Sequence, residues 1–136
     1  MYSYEQIVKS IHDHKTCLKP STVCDGVGIF ALRDIEKDEL IFKFVTEDIE
    51  IAVKDFQSTA HPNVKEYIDQ MCCYNKDDES YILDVPLFML YTEYYINHSD
   101  DSNIFWDRYD HEMYAMRDIK VGEELTTYYR PDERDW

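Results

Sequence analysis

Two stretches of this chain nearly repeat each other. Residues 31–44 read ALRDIEKDELIFKF, and residues 115–129 read AMRDIKVGEELTTYY. Arg33-Asp34-Ile35 matches Arg117-Asp118-Ile119, and Glu39-Leu40 matches Glu124-Leu125. Each copy has strand-forming residues on both sides of a turn, at Glu36-Lys37-Asp38 in the first and Val121-Gly122 in the second. That pattern predicts a strand, a tight turn and a returning strand, written twice. It suits a fold built from several small sheets. Only the second copy ends in paired tyrosines, Tyr128-Tyr129.

With 136 residues the chain is expected to form one domain. At this size roughly 68% of the unfolded surface is buried on folding, so no disulfide or metal staple is needed. Charge is the outlying property: 29 acidic and 14 basic residues leave a net charge of −15. Such a field repels phosphate backbones and argues against direct nucleic-acid binding. It attracts a basic partner such as a lysine-rich peptide, although acidity also serves solubility alone. The first residues, MYSYEQIVKS, lack the basic start and apolar run of a signal peptide. No stretch approaches the ~18 apolar residues of a membrane span. The expected location is therefore cytoplasmic, or nuclear for a eukaryotic source or a virus in its host, and not secreted. Cys17, Cys24, Cys72 and Cys73 form no CxxC pair and lack a histidine at zinc-finger spacing. They read as reduced thiols, and no metal site is expected.

Ser3 and Gln6 have capping-box spacing, and Tyr4, Ile7, Val8 and Ile11 would share one face of a short helix. Residues 17–33 look extended, broken by Pro20, Asp25-Gly26 and Gly28. Leu40 to Val45 reads as a strand, and Val53 to His61 as a loop or strand edge. A second helix is expected after Pro62, where Val64, Tyr67, Ile68, Met71 and Cys72 repeat at helical spacing. Asn75 to Ser80 is a polar loop before a strand at Tyr81 to Val85. FMLYTEYYI, Phe88 to Ile96, fits a helix or a buried strand. His111 to Arg117 and Leu125 to Tyr129 complete the expected strands.

Three stretches could carry chemistry. Gly26-Val27-Gly28 precedes a strand, where glycines allow a turn or a close approach of backbone to ligand. It lacks the third glycine of a dinucleotide fingerprint. Asn97-His98-Ser99, with Asn103, places strong donors and acceptors after an apolar run, as either a polar site or an Asx-type turn. Gly122-Glu123-Glu124-Leu125 leads into Tyr129, as either an edge strand or a site.

In this order, the three stretches resemble the SET-domain protein lysine methyltransferases. That family carries a GxG segment, an N-H-S-x-x-x-N segment and a G-E-E-L-x-x-x-Y segment. The resemblance covers residues 16–136, leaving 1–15 as an N-terminal helical extension. It implies a mainly β fold with a few short helices: a SET-type β-clip of several small sheets with a knot-like C-terminal segment passing beneath the N-H-S strand. It implies transfer of a methyl group from S-adenosylmethionine to a lysine nitrogen of a protein, a basic one such as a histone or ribosomal protein. The implied cofactor contacts are Gly26, Val27, Gly28, Ile29, Tyr94, Asn97, His98 and Tyr129, with the Tyr129 hydroxyl at the point of transfer. Trp106, Thr127, Tyr128 and Trp136 would line or cap the lysine channel. Such a channel lowers the pKa of the lysine by desolvation and aligns the reacting atoms.

Four positions depart from the family pattern. Tyr94 stands where an arginine is common, so cofactor contacts differ. Thr127 stands where Phe or Tyr often sets the number of methyls added. Tyr128 replaces an Asp, and Ser102 a Pro. These departures leave a second function open, a catalytically silent SET-like module that binds a protein partner, with or without the cofactor. Monomer and homodimer are both open.

Overall fold

The computed structural model describes residues 1–43, 49–83, 85–107 and 110–129. Among these, two α-helices and ten strands follow one another. They are α1 (Tyr4–Asp13), β1 (Thr16–Pro20), β2 (Val27–Ala31), β3 (Leu40–Lys43), β4 (Ile49–Ala52), α2 (Pro62–Met71), β5 (Cys73–Asn75), β6 (Ser80–Leu83), β7 (Asn97–His98), β8 (Ile104–Asp107), β9 (Glu112–Ala115) and β10 (Glu124–Thr127). The fold is mainly β.

Both helices start as their sequences predict. Ser3 Oγ accepts from the Gln6 N–H at 3.1 Å, and the Gln6 side chain accepts from the Ser3 N–H at 2.8 Å. Pro62 opens α2, where the His61 ring accepts from the Asn63 N–H. Their burial differs. No residue of α1 is buried, and Tyr4, Ile7 and Ile11 face solvent. Helix α2 buries Ile68, which with Cys72 and Leu83 of β6 forms a small second core. Beside that core lies an apolar cavity of about 500 Å³, lined by Ile49, Phe56, Val64, Ile68, Leu83 and Leu87 among others.

Residues 88–96 are neither a helix nor a strand. They contribute to two short 3-10 helices, Leu87–Met89 and Thr92–Tyr95. The physical reason lies in where their apolar side chains go. Leu87, Leu90 and Tyr94 pack on the second core, whereas Tyr95 and Ile96 reach the main one. A segment that serves two cores bends between them, and no single period describes it.

The repeat folds differently from two separate hairpins. Strands β2 and β3 do not pair with each other, and neither do β9 and β10. Instead β2 pairs antiparallel with β10, and β3 with β9. The two copies are joined at an antiparallel bridge where Ile35 and Ile119 exchange both backbone hydrogen bonds, each 2.8 Å. The surrounding contacts come in exchanged pairs. The Lys37 N–H donates to Asp118 Oδ1 and the Val121 N–H to Asp34 Oδ1, both at 2.9 Å. The Asp38 N–H donates to the Ala115 carbonyl and the Gly122 N–H to the Ala31 carbonyl, both at 2.8 Å. The Ala115 N–H donates to Glu39 and the Ala31 N–H to Glu123, at 3.0 and 2.9 Å. Asp38 and Gly122 take the same left-handed turn, with φ of 69° and 88°. The copies are therefore related by a local twofold axis.

This exchange corrects the alignment of the copies. Glu39 corresponds to Glu123, and Leu40 to Glu124, because Leu40 lies opposite Tyr114 as Glu124 lies opposite Phe30. A bulge between Leu40 and Phe42 then shifts the register of the first copy by one residue.

The sheet that results runs β1-β2-β10-β8-β9-β3, with β7 also on β10, and a separate sheet runs β4-β6-β5. The main core sits on the twofold: Ile29, Ala31, Ile35, Ile104, Met113, Ala115, Ile119 and Leu125 are all buried there.

All four cysteines are free thiols. Burial pushes the Cys72 thiol up to about 12, helped by neighbouring Cys73, whereas Cys24 is exposed. Since the thiolate is the reactive form, an alkylating reagent at neutral pH should modify Cys24 first and Cys72 last. Mass spectrometry of partially alkylated protein checks the order, and early labelling of Cys72 would contradict this burial.

Candidate functional site

Strand β10 is the hub of the site. It pairs with β2 through Glu124 and Leu125, then parallel with β7 through Thr126 and Thr127 and with β8 through Thr127. The Ser99 N–H donates to the Thr127 carbonyl at 3.0 Å, and the Asn103 N–H to the Thr126 carbonyl at 3.1 Å. Successive strand residues point their backbone groups to opposite edges. Residues 97–104 therefore pass along both edges of β10 and hold it as a loop holds a thread. This is the knot-like feature expected of the C-terminal segment. The Asn103 side chain locks it, donating to the Glu124 carbonyl and accepting from the Thr126 N–H, both at 2.9 Å.

Just past β10, Tyr129 is tied twice to residues 96–98. Its N–H donates to His98 Nδ1 at 2.9 Å, and its hydroxyl donates to the Ile96 carbonyl. The His98 ring lies between the two tyrosines, 5.0 Å from the Tyr128 ring and 5.3 Å from the Tyr129 ring. An Nδ1 that accepts leaves the ring proton on Nε2, which lies 3.0 Å from Asp100 Oδ1. Burial pushes the Tyr129 phenol up to about 12, with smaller contributions from Cys73 and Cys24. The hydroxyl is therefore neutral at ordinary pH.

A second cluster surrounds Glu124. Its carboxylate accepts from the Thr22 N–H at 2.6 Å, the Thr22 hydroxyl at 2.8 Å, the Ser21 hydroxyl at 2.9 Å and Asn97 Nδ2 at 3.2 Å. Burial on its own would raise this carboxyl, but the Thr22 N–H and the side chains of Asn97, Thr22 and Ser21 outweigh it. The net position is below the usual carboxylate range. Asn97 Nδ2 also reaches the Val27 carbonyl at 3.0 Å.

Gly28 lies beneath this carboxylate. A Cβ there would sit 2.8 Å from Glu124 Cδ, closer still to its Oε2, and 3.3 Å from Asn97 Nδ2. At Gly26 the nearest such atom is Cys24 Sγ at 3.7 Å. Gly28→Ala should therefore cost about 1–3 kcal/mol by breaking buried hydrogen bonds to a charge, and Gly26→Ala should be nearly neutral. Urea unfolding of the two variants compares them; equal stability would remove the close contact as the reason for the second glycine.

The residues anticipated for the site divide accordingly. Gly26, Val27, Gly28, Asn97, His98, Tyr128 and Tyr129 fall into these two adjoining clusters, joined through Asn97 and His98 on β7. Ile29 does not present its side chain to a ligand: it is 0% exposed in the core, and its strand is paired on both edges. Tyr94 packs on the second core and Trp106 on the main one. Thr127 is buried, its hydroxyl donating to the Ile104 carbonyl at 3.2 Å. Trp136 lies outside the described residues. Sequence reading missed Glu124, Ser21 and Thr22. Glu124 stood in a stretch already singled out, but by sequence alone it matches Glu39, and only the hydrogen bonds between the copies set it equivalent to Leu40.

No helix among the described residues is long and apolar enough to cross a membrane, and no group of three His, Cys, Asp or Glu side chains among them could hold a metal ion.

A family model for the SET domain matches residues 26–130. No curated protein sequence matches the chain. Among solved structures, a Plasmodium falciparum protein described as a candidate histone methyltransferase is similar with 21% identity and a TM-score of 0.50, over 87% of this chain and 95% of that one. A chain of ctPRC2, solved in complex with H3K27me3 and H3K27M, is similar with 24% identity and a TM-score of 0.55. That match covers 93% of this chain but only 16% of the other. Both likenesses are of fold.

Proposed function

The chain belongs to the SET-domain family, and on that premise we propose that it is an S-adenosylmethionine-dependent methyltransferase of lysine side chains in a basic protein, such as a histone or ribosomal protein. The observation that carries this reading is Tyr129, a half-buried neutral phenol tied at both ends to the Ile96–His98 segment.

The residues present fit the cofactor. Exposed backbone at Gly26 and Val27, the Asn97 side chain and the ring of His98 beneath Tyr128 adjoin one another. The ionised Glu124 close by suits a cationic molecule. Bound there, S-adenosylmethionine supplies the methyl group on a sulfonium.

What the protein's own groups do follows from their protons. The Tyr129 hydroxyl donates to the Ile96 carbonyl, which leaves oxygen lone pairs to face a reacting methyl or amine. It cannot act as a base near neutral pH, because it keeps its proton to about 12. His98 is no better placed: Nδ1 accepts from the Tyr129 N–H and Nε2 donates toward Asp100. Neither group takes the proton of the target lysine, which is ordinarily near 10.4 and is lowered as the side chain is desolvated. The role of Tyr129 is orientation, holding a polar atom where the nitrogen and methyl meet. The net charge of −15 supports a basic partner by long-range attraction.

The test is incubation with labelled S-adenosylmethionine and mixed basic proteins, followed by mass spectrometry of the labelled product. Methyl-lysine is the expected result. Cofactor binding with no transfer to any of them would replace the enzyme with the silent binding module.

A further inference from the structure

We infer that Glu124 is a positioning residue for the methyl donor: its carboxylate pins the Ser21–Thr22 loop to Asn97 across Gly28 and thereby sets the shape of the cofactor site. This rests on the reading above that Asn97 and the Gly26–Gly28 backbone hold that donor.

Three observations carry it. The first is reach. One carboxylate bonds residues 21–22 and 97 and lies against Gly28, adding to the direct Asn97 Nδ2 contacts with Ser21 Oγ and the Val27 carbonyl. The second is polarity. Every partner is a donor: the Thr22 N–H, two hydroxyls and an amide N–H. Only a group with acceptors on both oxygens satisfies them all. Glutamine presents an NH2 on one side, where it meets donors.

The third is the internal comparison that the twofold provides. At the equivalent place in the first copy stands Leu40, 37% exposed, in a turn with the same backbone hydrogen bonds. The scaffold therefore forms without a carboxylate at this position. A buried acid retained only in the copy that leads to Tyr129 serves what surrounds it, which is the GxG loop and Asn97. Gly28 supports the same view. Its missing side chain leaves room for Glu124, so the glycine and the acid are one device.

Glu124→Gln should raise the Kd and KM for S-adenosylmethionine about tenfold or more, the effect of losing a hydrogen bond to a charged group. The kcat at saturating cofactor should stay within about threefold, the pattern of a loss of binding alone. Calorimetric binding and steady-state kinetics read both. An unchanged Kd, or a fall in kcat with KM unchanged, would overturn the inference. Should that variant fail to fold, Ser21→Ala with Thr22→Ala removes the two hydroxyl bonds to the carboxylate from the loop side, leaving the Thr22 N–H bond. It should raise Kd similarly, and an unchanged Kd there also overturns it. Where both are folded, Glu124→Gln should change Kd less in the loop variant than in the wild type, and additive effects would count against a shared clamp. Wild-type protein that binds no S-adenosylmethionine would instead overturn the functional reading on which this stands.

Discussion

Tyr129→Phe should lower kcat by about 100- to 1000-fold, the range seen when one preorganised polar group at a reacting centre is removed. Cofactor affinity should hold, because the ring, its contact with His98 and the backbone bond to Nδ1 all survive. The hydroxyl bond to the Ile96 carbonyl is lost, which costs stability only about 1 kcal/mol. The variant thus separates orientation of the reacting atoms from assembly of the site. Single-turnover methylation with saturating cofactor, beside a thermal melt, measures both. Wild-type activity in the folded variant would remove Tyr129 from the centre of the reaction. A large rise in cofactor Kd would instead mean that the hydroxyl contacts the donor directly.

Ile119→Ala should cost about 2–5 kcal/mol, as for other fully buried aliphatic truncations. That is a large share of a total of about 5–15 kcal/mol. Ile119 is 0% exposed and Ile35 1%, and the two face each other at the twofold. Ile35→Ala should cost a similar amount. The double variant should differ from the sum of the singles, because the side chains share one cavity. Urea unfolding of the three variants checks this. A loss below about 1 kcal/mol for either single variant would show that the twofold is not where the core is anchored.

Much of this was legible in the sequence, for physical reasons that differ by element. Ser3 with Gln6 and Pro62 mark helix starts because capping is local chemistry, settled within three or four residues. Asn97, His98 and Tyr129 were legible through their resemblance to the SET pattern, and the structure places them together. The RDI repeat was visible, but its pairing was not. Which strand edge meets which is decided by contacts across most of the chain, and a strand, a turn and a strand in sequence read the same whether they close on themselves or exchange. Residues 88–96 were ambiguous because they serve two cores. Ser21 and Thr22 were invisible because hydroxyls in a loop are ordinary until a carboxylate from the far end of the chain comes to rest on them. Glu124 was read as half of a pair, although Glu123 stays outside with Arg117 at 3.1 Å while its neighbour turns in.

The exchanged pairing also dictates the order in which this chain can fold. As the polypeptide is made, the first copy emerges with one edge of β2 open and β3 without its partner. Both wait for strands that follow residue 111. Neither copy can close its own ladder, so the first copy cannot complete its sheet ahead of the second. The pairing is all-or-none and non-local, the kind that folds slowly and leaves sheet edges exposed meanwhile. The embrace of β10 by residues 97–104 is likewise complete only when both segments are present. Tyr129 comes to rest beside His98 only where residues 97–104 and β10 have met.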